Sequence, residues 1–460
     1  MSGSGAAIAT WALLALAVAA LVAWQSDLAC RRQAVGWAFM GMLACLVKIV
    51  LLQHAPQWLD VPWDAQKYQA NAEALHLHWL GYAVDPESYD LTGYSAGWNN
   101  IHGPLWKADA PITYTGVFGT YEWLYAAYGA LWQFVAQDWV QWTIWSHAAL
   151  AGIFPAGAFL LSRFLGTSQG AARLAALLVV LDPLTGTNAA WLLKDTLVAF
   201  LAVLALLAAA RLKEHPRWTG AALLGIALGL LAGGRLVAYL AILIGMLVLI
   251  AGLYRARRRE SVATLAAGVC LSLPILLFLN VAPVQFSATM AGKAVIQRIG
   301  AQTQTLRANK GEEGSDGVVI NWRERLTHDP LRAVATSISR TLFAPYPWVI
   351  AKEGLTGYNH IELYYPGTIF WIVCLPLTAI GLMAGARRMA PESLWMLALL
   401  AALWVAYTVF LGEWSTRQRV FMIPVFFAFA ALGFDTLRRH VRAGAPEPGA
   451  IRDRRSEGKA

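Results

Sequence analysis

The feature that most limits what this chain can become is a series of long apolar runs, each close to the roughly 20 residues a helix needs to cross a bilayer. They fall at 6–24, 35–53, 141–163, 171–188, 196–212, 218–233, 235–253, 262–281, 366–386, 393–411 and 419–437. Composition agrees: 58% of the residues are hydrophobic and only 14% are charged. A soluble domain carries about a quarter charged residues. A chain this poor in charge has no polar shell to offer water, so lipid must be its main solvent. The net charge of +9 would suggest nucleic acid in a soluble protein. Here the basic residues sit in short stretches between apolar runs, which is the pattern of cytoplasmic loops, and no nucleic-acid partner is expected.

The charges orient the runs. Arg31 and Arg32, Arg163 and Arg173, Arg211, Lys213 and Arg217, Arg255 with Arg257 to Arg259, Arg387 and Arg388, and Arg438, Arg439 and Arg442 are the clusters. All fall on one side if the spans alternate from an outside N-terminus, which leaves the C-terminus in the cytoplasm. Residues 1–10 contain no Lys or Arg, so the run from Ile8 to Trp24 lacks a signal peptide's basic start and reads as an uncleaved span. The aromatic stretch Thr115 to Trp139 would invert every later loop if it crossed, so it reads as an interfacial or re-entrant helix.

The expected fold is therefore an all-α polytopic membrane protein with about eleven transmembrane helices. Juxtamembrane helices are expected at the outer leaflet in two large extracytoplasmic loops. The divisions are 1–53 for two spans, 54–140 for the first loop, 141–281 for a six-helix core, 282–365 for the second loop, 366–437 for three spans and 438–460 for a basic, disordered tail. Within the second loop, KGEEGSDG (310–317) reads as a mobile turn. The four cysteines, Cys30, Cys45, Cys270 and Cys374, form neither a metal spacing nor a disulfide framework.

Chemistry is sought in the outer loops. In PWDAQKYQANAEALHLHWL (62–80), Asp64 occupies a good N-cap position, and Tyr68, four residues on, shares its helix face. An acid at that place can serve as a general base, or it can simply cap the helix. In the second loop, NWRERLTHDP and SISRTLFAPYPW gather Arg323, Arg325, His328, Arg332 and Arg340. His328 could act as a base near neutral pH, or the segment could be an amphipathic helix with a solvated basic face. His102, His147 and His360 stand alone and read as polar interface residues. The sequence has no Gly-rich nucleotide-phosphate loop, and its cytoplasmic loops are too short for a nucleotide-sugar site.

Several segments together resemble the GT-C superfamily, the integral membrane glycosyltransferases that use polyprenyl-phosphate sugars, and within it the bacterial branch of protein-mannosyltransferase and aminoarabinose-transferase relatives. WDAQKYQANAEAL resembles the acidic helix of the first loop. RFLGTSQGAARLAALLVVLDPLTGTNAAWLLKDTLVAFLAVLALLAAARL resembles the region of the third to fifth spans, with its Pro and its Lys-Asp before a long apolar helix. GLLAGGRLVAYLAIL resembles the following Gly-and-Arg turn, and TRQRVFMIPVFFAFAALGF the closing Arg-x-Arg span. The likeness runs through residues 35–260 and 366–437.

The resemblance implies an extracytoplasmic glycosyltransferase of an inner (plasma) membrane, with Asp64 as catalytic base. Its donor would be a polyprenyl-phosphate sugar and its acceptor an envelope glycan, a lipid or a protein. Where many members show an adjacent acidic pair, this chain reads Asp64-Ala65, so a second carboxylate would come from Asp182, Asp195 or Glu73, and a divalent metal stays an open question. The donor phosphate would be met by Lys194, Arg235, Arg417 and Arg419, all at outer span ends, where arginine's fork suits phosphate. The bland alternative for these cations is snorkelling at helix ends. Tyr68, Asp182, Asp195, Arg325 and His328 complete the candidate set. Two other functions fit the same outline: an O-antigen polymerase or ligase working through Arg325 and His328, and a transporter without bond chemistry.

Overall fold

A computed structural model describes residues 3–54, nine positions between 65 and 80, and residues 123–281, 310–313, 319–321, 328–343, 361–411 and 417–444. Asp64, Arg325, His102, His360 and the tail beyond 444 lie outside the described residues. The fold is an all-α polytopic membrane bundle, and its β structure among the described residues is one antiparallel pair, β1 (Lys310–Glu313) with β2 (Val319–Asn321).

The first helices are α1 (Gly3–Gln25) and α2 (Leu28–Gln53). A short helix α3 (Trp123–Gln133) leads into α4 (Trp139–Ala151) and α5 (Ile153–Phe164), which together make one span of 26 residues. Pro155 cannot donate to the carbonyl four residues back, which accounts for the joint at Gly152. At eleven residues, α3 is about 16 Å long, too short to cross about 30 Å of hydrocarbon.

Next come α6 (Gln169–Leu181), α7 (Pro183–Ala189), α8 (Asp195–Glu214), α9 (Trp218–Gly234), α10 (Leu236–Arg255) and α11 (Arg259–Val281). The chain closes with α12 (Pro330–Phe343), α13 (Ile361–Arg388), α14 (Pro391–Leu411), a 3₁₀ turn (Arg417–Met422) and α15 (Ile423–Gly444).

Nine described helices are long and apolar enough to cross a membrane, or ten with the bent pair α6–α7, and the seventeen-residue α9 is a shorter apolar helix. The run 171–188, expected as one span, is broken: α6 and α7 meet at 44°. Pro183 opens α7, and the Asp182 carboxylate caps it by accepting the Thr185 backbone N–H at 3.0 Å.

The span α4–α5, with α8 and α15, forms the middle of the bundle and is almost wholly buried, whereas α1, α2 and α13 turn much of their surface outward. That outward surface is apolar: Leu13, Leu43, Leu51, Ile369 and Val373 are all exposed. A soluble protein would not present such a belt to water; in lipid it is the proper outer face. Helices α13 and α15 meet backbone to backbone. A Cβ on Gly433 would stand 2.0 Å from the Leu377 carbonyl oxygen, and one on Gly381 would stand 1.8 Å from that of Phe429. Only glycine lets these backbones touch.

Alternation of the helices gives the bundle two different ends. The basic clusters gather at one, where Lys213 pairs with Glu392, Arg388 donates to the Leu165 carbonyl at 3.3 Å, and Asp435 accepts from Ser168 at 2.7 and 2.8 Å. The other end holds the turns around Asp182, Lys194, Arg235 and Arg419.

Candidate active site

At that second end, four connections bring charged groups inward. Lys194 precedes α8 and Asp195 begins it; both are buried. Arg235 is the extended residue between α9 and α10. Its Nη1 lies 3.5 Å from the Asp195 carboxylate and donates to the Tyr407 hydroxyl of α14 at 3.2 Å. The 3₁₀ turn threads between these elements. On one side its Phe421 ring receives the Arg235 guanidinium at 5.9 Å, and on another its buried Arg419 lies over Trp371 at 5.5 Å. Such cation–ring contacts hold a guanidinium in place without neutralising it.

Beside Arg419 a narrow cleft opens between α7, α13 and α15. Leu184, Trp371, Phe426 and Phe427 give it apolar walls, and Asp182 and Arg419 line it as well. Asp182 is buried and feels the charges of both Lys48 and Arg419. Lys48 reaches the same break from α2. Its ammonium donates to the carbonyls of Val180 (2.7 Å) and Asp182 (2.6 Å) and to Thr185 Oγ1 (3.2 Å). Its stem passes over Gly186, where a Cβ would come within 2.5 Å of it. A cation at the C-terminal end of α6 opposes the partial negative charge of the helix end.

The first loop meets this cluster through Tyr68. The described positions from Ala65 to Trp79 have helical backbone. Tyr68 is buried, packs edge-on against Tyr125 of α3 at 5.1 Å, and carries Lys194 over its ring at 5.9 Å. Tyr125 is held by His147, buried in α4. Burial first, and then the neighbouring Tyr128 and Asp195, push the Tyr125 phenol well above its ordinary range, so it stays a donor. Burial likewise raises the Glu73 carboxyl, and a hydrogen bond from Gln69 opposes the rise.

The structure thus brings together Lys194, Asp195, Arg235 and Tyr68, with Asp182 and Arg419 at the neighbouring cleft. Arg417 starts the 3₁₀ turn, and its side chain lies outside the described residues. His328 is exposed ahead of α12 and makes none of the described contacts of the cluster. Sequence reasoning passed over Lys48, although a lone lysine in the run 35–53 is a signal in itself. His147 was read as an isolated interface residue, yet it lies deep in the bundle. Tyr125, Tyr407 and Trp371 carried no signal, because aromatics at span ends are the rule. Among the described residues, the metal-capable trio that converges is Asp27, Glu214 and His215, exposed at the opposite end.

The fold and this cluster define the class: a polytopic helical membrane protein with charged groups buried at one end of an apolar bundle. No family model matches the chain, and no curated protein matches it. Among solved structures, it is similar to the apo crystal structure of the Archaeoglobus fulgidus oligosaccharyltransferase, with 15% identity and a TM-score of 0.49 over 88% of this chain and 52% of that one. A second is the oligosaccharyltransferase AglB of the same organism, in complex with an inhibitory peptide and a dolichol-phosphate, with 15% identity and a TM-score of 0.49 over 92% of this chain and 53% of that one. The chain spans about half the length of both structures.

Proposed function

We propose that this protein is a glycosyltransferase that moves a sugar from a polyprenyl-phosphate donor to an acceptor at the extracytoplasmic face of the membrane. One observation carries the reading: the convergence of cations and carboxylates at one end of an apolar bundle. Lys48 and Arg419 lie about Asp182, and Arg235 lies beside Asp195, which follows Lys194 in the chain, so that cations and carboxylates from separate segments meet there. Buried positive charge in a membrane protein is costly and marks a site for an anion or a pathway. Placed beside an apolar cleft, it suits a ligand with a phosphate head and a hydrocarbon tail.

In this reading Arg419, Arg235, Lys194 and Arg417 meet the phosphate, while Asp182 and Asp195 orient the cations. Asp64 accepts the proton of the acceptor hydroxyl or amine as that atom attacks C1 of the sugar. The C1–O bond to phosphate breaks, its electron pair leaves on the phosphate oxygen, and the cations stabilise the developing charge. Attack opposite the leaving group inverts the anomeric carbon. Tyr68 supports the first-loop segment that carries Asp64. The acceptor is an envelope glycan, a lipid or a protein.

The test is transfer from polyprenyl-phosphate sugars by protein reconstituted in liposomes, read by mass spectrometry. Asp64→Asn should insert and express normally and lose transfer by at least about 100-fold, the scale of a lost general base. Wild-type turnover in that variant would remove Asp64 as the base. Appearance of the intact donor across the bilayer with no new glycosidic bond would replace the transferase by a transporter.

A further inference from the structure

The proposed mechanism leaves a buried polar group without a role. His147 lies in the middle of the bundle, and two atoms hold its ring. Its Nδ1 faces the Ala189 carbonyl oxygen at 3.0 Å, and its Nε2 faces the Tyr125 hydroxyl at 3.0 Å. A carbonyl can only accept, so Nδ1 carries the hydrogen and Nε2 accepts from Tyr125. The imidazole therefore joins the C-terminal residue of α7, just ahead of the segment that leads to Lys194, with the short helix α3.

Helix α3 in turn is the pad for the first loop. Tyr125 meets Tyr68, Gly129 faces Ala72 so closely that a Cβ would come within 2.9 Å of it, and Phe134 packs on both His76 and Trp79. The contacts recur at 68, 72, 76 and 79, one stripe of a helix. Tyr128 is tied to Ser146 of α4, next to His147. The loop face that ends in Tyr68 also lies under the Lys194 ammonium.

We infer that His147 and Tyr68 are positioning residues: His147 fixes the Tyr125 ring, Tyr125 seats Tyr68, and Tyr68 sets the first-loop segment in register with the Lys194 turn. Asp64 stands four positions before Tyr68 in the sequence. This rests on the proposed transferase reading. Within it, the stack aligns the base with the phosphate-binding cations and touches neither substrate itself. His147 contacts Tyr125 and Ala189, so loosening that link frees the first-loop segment without removing a donor contact.

The experiment uses the full chain in nanodiscs, with hydrogen exchange followed in peptides covering 65–79 and 195–214. Tyr68→Ala and His147→Leu should speed exchange in 65–79 by at least about fivefold, the scale of one lost aromatic pair or buried hydrogen bond. Exchange in 195–214 should not change. His147→Gln, whose amide can donate to Ala189 and accept from Tyr125, should restore most of the protection. With a polyprenyl-phosphate sugar as probe, His147→Leu, which touches none of the phosphate-binding cations, should lower kcat and leave the donor KM near the wild-type value.

Unchanged exchange in 65–79 overturns the inference. So does equal loosening of 195–214, which would make His147 a residue of the general fold, and so does a rise in KM with kcat preserved. Selective loosening of 65–79 in a protein that transfers no sugar would sink the proposed activity and leave the docking stack in place, so the two failures read differently.

Discussion

The two ends of the bundle carry charge in opposite manners. At the basic end the charges are many, and most lie near solvent. Arg439 bonds Asp435 at 3.2 Å one helical turn away, His215 faces Asp27 of a separate connection at 3.2 Å, and Ser261 and Arg258 both donate to the Lys213 carbonyl. At the site end the charges are few and drawn into the bundle among apolar and aromatic side chains: Lys48 at Asp182, Arg235 at Asp195 and Tyr407, Arg419 over Trp371. Solvated loop charges follow from membrane topology and cost little. Buried ones cost several kcal/mol each and persist where geometry or a ligand offsets that cost. The contrast separates charge that orients a protein from charge that does its chemistry.

The contrast can be broken by experiment, and the largest effect should come from Arg419. Arg419→Ala removes a buried cation from the cleft wall and should reduce transfer by at least about 100-fold, or about 2.7 kcal/mol of transition-state stabilisation. A steady-state assay with near-normal turnover would place Arg419 with the topological charges. Lys48→Met comes next. It leaves the carbonyls at the α6–α7 break without their donor and Asp182 without its neighbour, and should cost about 3 kcal/mol of stability. Thermal unfolding in detergent reads this as a lowered Tm, and an unchanged Tm would mean the broken span holds itself. The smallest change belongs to the basic end. Glu392→Gln discards the pair with Lys213, should cost less than about 1 kcal/mol, and should leave transfer untouched; a large loss of activity there would erase the distinction between the ends.

Much of the fold was legible because membrane insertion follows composition. Helices must satisfy their own backbone in lipid, so an apolar run of sufficient length is already a structural statement. The break at Asp182 was harder. Asp-Pro is a helix-start signal, but it sat within an apolar run long enough to read as one span. Lys194, Arg235 and Arg419 could be picked out because positive charge at those span ends runs against the bias of the other loops. The partners of Arg235 could not: Asp195 is 40 residues before it, and Tyr407 lies 172 residues after it. His147 and Tyr125 are 22 residues apart and nothing in their spacing announces a pair.

The sequence alone determined that the chain lives in a bilayer, roughly where most of its long helices lie, and which end gathers the arginines, since hydropathy and charge act through nearest neighbours along the chain. Only the tertiary structure decided which charges are buried together, that Lys48 pins a broken helix, and that Tyr68 sits between Lys194 and Tyr125. Those facts depend on helix packing, where glycine contacts such as Gly381 with Phe429 set which faces meet, and no local pattern encodes the meeting of residues so far apart.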